Sequence, residues 1–460
     1  MVTRCTGREG PKYVWSVSFI TRSSPSWQIV SPVDSLIAQS IEDNLEPWKG
    51  IGSDLSSYER AKEGESLPLL RNPLPGVADA YYQQVKEVCC TRYESNSKAT
   101  QKVVYTAMHG VGKDWIRRVM ATFGHPPCVE VAQQIEPDPE FPTVAFPNPE
   151  EGRGALKLAM ETAESVGSRL IIANDPDADR FAAAELQSNE EWRIFTGNEL
   201  GTLFAHWIWT TFRESHPEVD PATCCLINTT VSSKMLRAIA EKEGLEYEET
   251  LTGFKWLGSL AMRKLSEGKT PILCYEEAIG YLIRDICFDK DGVSAAGTFV
   301  EMYQALAAEG KSLSQHLESL YQTYGYFAAN NRYFFCYDPA TLARIFKRIR
   351  SLGGERRFPS HVGRFALKGV RDLTVGYDDM QPNNKPILHV SASSEMITFY
   401  FENGAVVTLR GSGTEPKLKY YAEMKGSDLL SAQKELDELL SLVIEEFLQP
   451  SLNDLKPPSD

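Results

Sequence analysis

Ser168-Arg169-Leu170-Ile171-Ile172-Ala173-Asn174-Asp175-Pro176-Asp177-Ala178-Asp179-Arg180-Phe181-Ala182-Ala183-Ala184-Glu185-Leu186 reads as a buried strand, an acidic loop and a second strand. Both apolar runs are short and free of Gly and Pro, which favours strands over helices. Three carboxylates at alternate positions repel one another, and a hard divalent cation taking oxygen ligands relieves that repulsion. The reading is therefore a Mg2+ site of Asp175, Asp177 and Asp179, with Arg180 offering a fork to a phosphate beside it. An acidic surface turn is the plain alternative, and an Asp-x-Asp nucleophile loop of haloacid-dehalogenase type is a further one. An EF-hand loop is excluded, because counting from Asp175 puts Arg180 and Leu186 where glycine and glutamate belong.

Outward from this loop, strand and helix patterns alternate. Residues 103–106 read as a strand running into Met108-His109-Gly110-Val111-Gly112, residues 114–123 and 155–166 as helices. The alternation restarts with a strand at 226–230, a helix at 232–243 and a strand at 271–275, which implies two similar α/β layers. After Tyr326 the texture changes to aromatic strands, an Asn403-Gly404 hairpin turn and helices near 340–352 and 429–448, an α+β pattern. Ahead of the first layer lie helix patterns at 33–45 and 78–90, and residues 1–30 show neither helical nor strand period.

The chain has 460 residues, 42% hydrophobic and 24% charged, enough for several cores. A net charge of -14 argues against nucleic acid as a main partner. Nine cysteines without a Cys-x-x-Cys pair suit free thiols in a reducing compartment, and no apolar run is long enough to span a bilayer. A cytoplasmic protein without membrane partners is the expectation.

Four further constellations carry chemistry. Arg410-Gly411-Ser412-Gly413-Thr414-Glu415-Pro416-Lys417 lies between two strands and reads as a phosphate cradle of exposed backbone N–H groups, hydroxyls and cations, or as a Gly-rich hairpin. Tyr275-Glu276-Glu277-Ala278-Ile279-Gly280 follows an apolar strand, where Glu276 and Glu277 suit sugar hydroxyls or a solvated turn. Asp289-Lys290-Asp291-Gly292 offers Lys290 as acid/base, or a helix-capping turn. Thr250 to Trp256 opens a helix and brings Lys255 toward a phosphate. His109 reads as structural.

In this order, the loops at Asp175 to Arg180, Glu276 to Gly280 and Arg410 to Pro416 resemble those of the α-D-phosphohexomutases. Within that superfamily the chain is similar to the branch holding the eukaryotic phosphopentomutases and the enzymes that make glucose 1,6-bisphosphate. The resemblance implies a multi-domain α/β molecule. It would comprise a remnant of a first α/β domain with an atypical N-terminus (1–92), a metal-loop α/β domain (93–196), a sugar-loop α/β domain (197–328) and a C-terminal α+β phosphate-binding domain (329–460).

It further implies intramolecular phosphoryl transfer on sugar phosphates, ribose or deoxyribose 1-phosphate to 5-phosphate and also glucose 1-phosphate to 6-phosphate, with Mg2+ and a sugar bisphosphate as activator and intermediate. On this resemblance Asp175, Asp177 and Asp179 hold the metal, and Lys290 and Arg180 are the catalytic candidates. Lys255, Glu276, Glu277, Arg410, Ser412, Gly413 and Thr414 would bind substrate. Ala278 stands where hexose-specific members have serine, and Gly411 where threonine or proline is common. The family's phosphoserine hexapeptide Thr-Ala-Ser-His-Asn-Pro does not occur in the sequence. The chain is accordingly expected to be N-terminally truncated, and the alternatives are a non-catalytic sugar-phosphate-binding isoform and a glucose 1,6-bisphosphate synthase.

Overall fold

The computed structural model describes residues 3–7, 10–14, 28–46, 72–151, 153–354, 358–412 and 415–458. Its first sheet has five strands in the order Val129–Glu130, Val103–Thr106, Leu170–Ala173, Ala182–Leu186, Trp192–Ile194. The first three are parallel and the last two return antiparallel. Every residue of Leu170–Ala173 is buried, as expected of a strand covered by helices on both faces. The helices Gly112–Phe123 and Arg153–Val166 pack on this sheet, contributing Ile116 and Phe123 to one core and Leu156 and Ala159 to another.

A second sheet repeats the plan with four strands, Gly280–Ile283, Thr270–Glu276, Cys224–Thr229 and Glu246–Thr250. Three are parallel, and Gly280–Ile283 returns antiparallel from Thr270–Glu276. The 174–181 loop and the 277–279 loop therefore hold the same topological place: each links a parallel strand to an antiparallel neighbour. Between the sheets runs the helix Gly292–Ala308, buried along most of its length, whose Phe299 meets Phe181 and Phe204 at ring-centroid distances of 5.1 and 5.6 Å. Phe204 also meets Tyr281 at 4.8 Å, so the residues that follow both loops share one aromatic cluster.

The C-terminal part is an antiparallel sheet in the order Tyr326–Phe335, Lys417–Gly426, Val406–Gly411, Met396–Phe401, Phe365–Asp372, His361–Val362, with Tyr377–Asp378 beside Phe365–Asp372. The helices Pro339–Ser351 and Leu429–Val443 pack on it, capped by Asp338 and Asp428. Gly404, at φ 86°, makes the hairpin turn expected at Asn403-Gly404.

Three expectations need correction. The segment 1–30 contains a hairpin, Thr3–Gly7 with Gly10–Val14, that the mixed composition concealed. The helix expected from Ser232 starts at Met235; Ser232 and Ser233 spend their side chains on Glu277 of a neighbouring loop and on Glu423 of the C-terminal sheet. The last helix gives way at Val443 to a wider π turn over Ile444–Leu448. The eight cysteines at 89, 90, 128, 224, 225, 274, 287 and 336 are free thiols, and no helix among the described residues is long and apolar enough to cross a membrane.

Candidate metal and sugar-phosphate site

Asp175, Asp177 and Asp179 each bring a carboxylate oxygen within 4.8 Å of the others. The tight loop that does this has Ala178 at φ 60°, and it is wedged between two glycines. A Cβ on Gly110 would lie 2.3 Å from the Pro176 backbone, and one on Gly292 would lie 2.3 Å from the Arg180 carbonyl oxygen. Val111 N–H donates to the Pro176 carbonyl at 2.8 Å, and Asn174 Nδ2 donates to the Arg180 carbonyl at 2.5 Å, closing the loop.

Asp175 is the inner acid, 3% exposed, and accepts from the Arg180 backbone N–H at 2.9 Å and from Arg180 Nη1 at 3.3 Å. Burial raises the Asp175 carboxyl above the ordinary carboxylate range; the Arg180 N–H opposes this and the charges of Asp179 and Asp177 add to it. Burial likewise raises Asp179, against the pull of Lys290. Crowded, partly desolvated carboxylates of this kind are a donor set suited to a hard divalent cation.

The second loop lies against the first. Arg180 and Gly280 form an antiparallel bridge, and Phe181 N–H donates to the Ile279 carbonyl at 3.1 Å. Across this seam Lys290 Nζ sits 2.9 Å from Asp179 Oδ2 and 5.4 Å from the Phe254 ring centroid. Burial, and then the neighbouring Glu277 charge, push the Glu276 carboxyl up to about 7, against the pull of Lys290 and Arg180. Arg180 keeps its Nε donor buried without a protein acceptor.

The Asp289-Lys290-Asp291-Gly292 motif divides its labour. Asp291 caps the helix Gly292–Ala308 through Val293 and Ser294 N–H, with the Tyr81 hydroxyl donating to it at 2.8 Å, while Lys290 turns to the acid loop. Glu277 is held at Oε2 by Thr229 and Ser232 hydroxyls at 3.0 and 3.1 Å. Of the residues expected to form a phosphate cradle, Arg410 and Ser412 are described, while Gly413 and Thr414 lie outside the described residues. Burial, then the Glu277 charge, raise the Tyr421 hydroxyl while Arg410 pulls it down. Lys255 stands apart, 3.4 Å from Asp34 Oδ2. His109 Nε2 shares a hydrogen bond with Thr143 Oγ1 at 2.7 Å and its N–H donates to the Gln134 carbonyl, a loop-fastening role.

Sequence reasoning did not single out Tyr81, Thr229, Ser232 or Glu423. The only signal was the polar run Thr229-Thr230-Val231-Ser232-Ser233 directly after an apolar strand.

Fold and loops together define a multidomain α/β protein of phosphohexomutase type. Residues 79–188, 196–324 and 370–436 match the profiles of phosphoglucomutase/phosphomannomutase alpha/beta/alpha domain II, alpha/beta/alpha domain III and C-terminal domain. The chain belongs to the phosphoglucomutase/phosphomannomutase family. It is 45% identical to the human phosphopentomutase over 438 residues, covering 94% of this chain and 70% of that protein. It is 46% identical to the human glucose 1,6-bisphosphate synthase, covering 93% and 68%, and 38% identical to a probable phosphoribomutase of Schizosaccharomyces pombe, covering 94% and 72%. The open form of the Paramecium phosphoglucomutase pp63/parafusin shares the fold, with TM-score 0.55 and 16% identity, over 83% of this chain and 64% of that one.

Proposed function

We propose that this chain binds pentose phosphates and interconverts the 1- and 5-phosphates of ribose and deoxyribose, with the glucose 1- and 6-phosphates as further substrates. The observation that carries the reading is the backbone bridge between Arg180 and Gly280, which sets three clustered carboxylates against a glutamate loop with Lys290 between them. Its relatives are sugar-phosphate enzymes by name, phosphopentomutase and phosphoribomutase among them.

In this reading Asp175, Asp177 and Asp179 hold Mg2+, which when bound supplies positive charge to the phosphoryl group in transfer. Arg180 directs its unpaired Nε–H to that phosphoryl group, and Lys290 holds and moves a proton at the reacting sugar oxygen. Glu276 accepts from sugar hydroxyls, and Arg410, Ser412, Gly413 and Thr414 grip the phosphate at the far end of the sugar. Lys255 adds charge at the mouth once released from Asp34. The division at 1–92, 93–196, 197–328 and 329–460 gives each loop its own unit. A sugar bisphosphate serves as intermediate, nucleic acid and membranes are not partners, and the cytoplasm is the working compartment.

The test is incubation of the purified chain with ribose 1-phosphate, Mg2+ and glucose 1,6-bisphosphate as primer, with ribose 5-phosphate measured. Formation of product supports the enzyme. Calorimetric binding of ribose 1-phosphate without turnover supports the non-catalytic binding isoform. Bisphosphate formation from 1,3-bisphosphoglycerate identifies the synthase activity.

A further inference from the structure

One short turn fastens the sugar loop and the C-terminal sheet to each other. It follows the strand Cys224–Thr229, and its side chains are almost wholly buried: Thr230 is 2% exposed, Ser232 2% and Ser233 5%. On one side Thr229 and Ser232 donate to Glu277, and Ser232 Oγ accepts the Glu277 N–H at 3.0 Å. On the other side Ser233 Oγ donates to Glu423 Oε1, and Lys234 N–H donates to Glu423 Oε2 at 2.7 Å. Glu423 lies on Lys417–Gly426, the strand that leads away from the Arg410 to Lys417 loop, opposite Val406. Arg371 Nη2 donates to Thr230 Oγ1, and Val231 packs against Leu373, Met396 and Tyr421.

The apolar contacts of Val231 are non-directional and tolerate sliding, whereas a carboxylate with both oxygens engaged fixes a register. We infer that Glu423 is a positioning residue, which by clamping the 229–234 turn sets the distance between the Glu276/Glu277 loop and the Arg410/Ser412 phosphate cradle. This inference rests on the reading that a sugar phosphate spans those two loops. A ligand that touches both feels any rotation between the sheets, since small misplacements of binding groups are costly. Inorganic phosphate, touching the cradle alone, does not.

The experiment measures calorimetric affinities for ribose 5-phosphate and for inorganic phosphate in the full chain and in Glu423→Ala, Glu423→Gln and Ser233→Ala, with circular dichroism melts as a fold control. Ribose 5-phosphate affinity is expected to fall about tenfold or more in Glu423→Ala, with phosphate affinity unchanged. Glu423→Gln, which keeps an acceptor oxygen, is expected to retain most of it. Ser233→Ala is expected to reproduce part of the loss. If Glu423→Ala does not fold, Ser233→Ala gives the same comparison of the two ligands. An unchanged ratio of the two affinities in all variants overturns the positioning role, including the case where both fall together. A wild-type chain that binds phosphate but no ribose 5-phosphate refutes the functional reading itself, and the positioning role goes with it.

Discussion

Lys290 holds its ammonium 2.9 Å from Asp179 Oδ2, so a lysine from the Asp289-Lys290-Asp291-Gly292 turn neutralises one of the three clustered acids. A cation entering that cluster meets this charge as a competitor. Lys290→Met is expected to raise divalent-cation affinity several-fold, on the order of 1 kcal/mol after allowance for the partly exposed position. Calorimetric titration with Mg2+ checks this, and an unchanged or weaker affinity counts against the placement.

Asp177 is the exposed member of the trio. Replacing it by Asn turns one charged oxygen ligand neutral, and Mg2+ affinity is expected to drop roughly tenfold, about 1.4 kcal/mol. Equal binding by Asp177→Asn and wild type would remove Asp177 from the ligand set.

Glu276 supplies a pH dependence. Its carboxyl is raised from 4.5 to about 7, with burial the main cause and Glu277 next. Between those values the native chain binds a proton that the unfolded chain has lost, so the group's contribution to stability falls as pH rises through that window. Glu276→Gln carries no such group. In metal-free buffer its melting temperature relative to wild type is expected to climb from pH 5 to pH 8, and a difference constant across that range would refute the burial of this carboxyl.

Gly110 gives the acid loop its close seat. A Cβ there would fall 2.3 Å from Pro176 Cα, backbone that has nowhere to move. Gly110→Ala is expected to cost about 1–3 kcal/mol of stability and to weaken Mg2+ binding by displacing Asp175 and Asp177. Full stability with intact binding would contradict the packing.

Asp291 and Tyr81 form a support beneath the lysine. Asp291→Ala removes a helix cap, expected to cost about 1–2 kcal/mol, whereas Tyr81→Phe leaves the cap and removes only the hydroxyl that donates to Asp291, about 1 kcal/mol. Denaturant unfolding of both variants should rank Asp291→Ala as the less stable, and the reverse order would show that the cap is dispensable.

The elements of the two α/β layers were legible because their strands are short, mainly apolar runs bounded by polar loops, as Leu170–Ala173 and the Cys224 to Ile227 part of Cys224–Thr229 show. The clustering of carboxylates on one loop was legible because like charges alternate there, as at Asp175, Asp177 and Asp179. What could not be read is the partner of each side chain across the chain. Nothing local in Asp289 to Gly292 says that Lys290 and Asp291 go opposite ways; that follows from Asp179 and Tyr81, which lie 111 and 210 positions away in the sequence. Glu423 escaped notice for the same reason: in the strand Lys417–Gly426 it looks like any outward-facing charge, and its meaning comes from Ser233 and Lys234, in a turn that follows a strand of a different sheet.

The helix Val33–Glu42 contains no buried residue, and Leu36 and Ile41 are 66% and 59% exposed. Among the described residues, polar ties reach it and its approach from Lys255, 3.4 Å from Asp34, and from Asp289, bonded to Gln28. A phosphate that recruits Lys255 must therefore take it from Asp34, making ligand capture and docking of this helix rival equilibria. Added salt, by screening the Asp34 tie, should favour the released form and so make Lys255 easier for an anion to claim even as the anion's own attraction weakens.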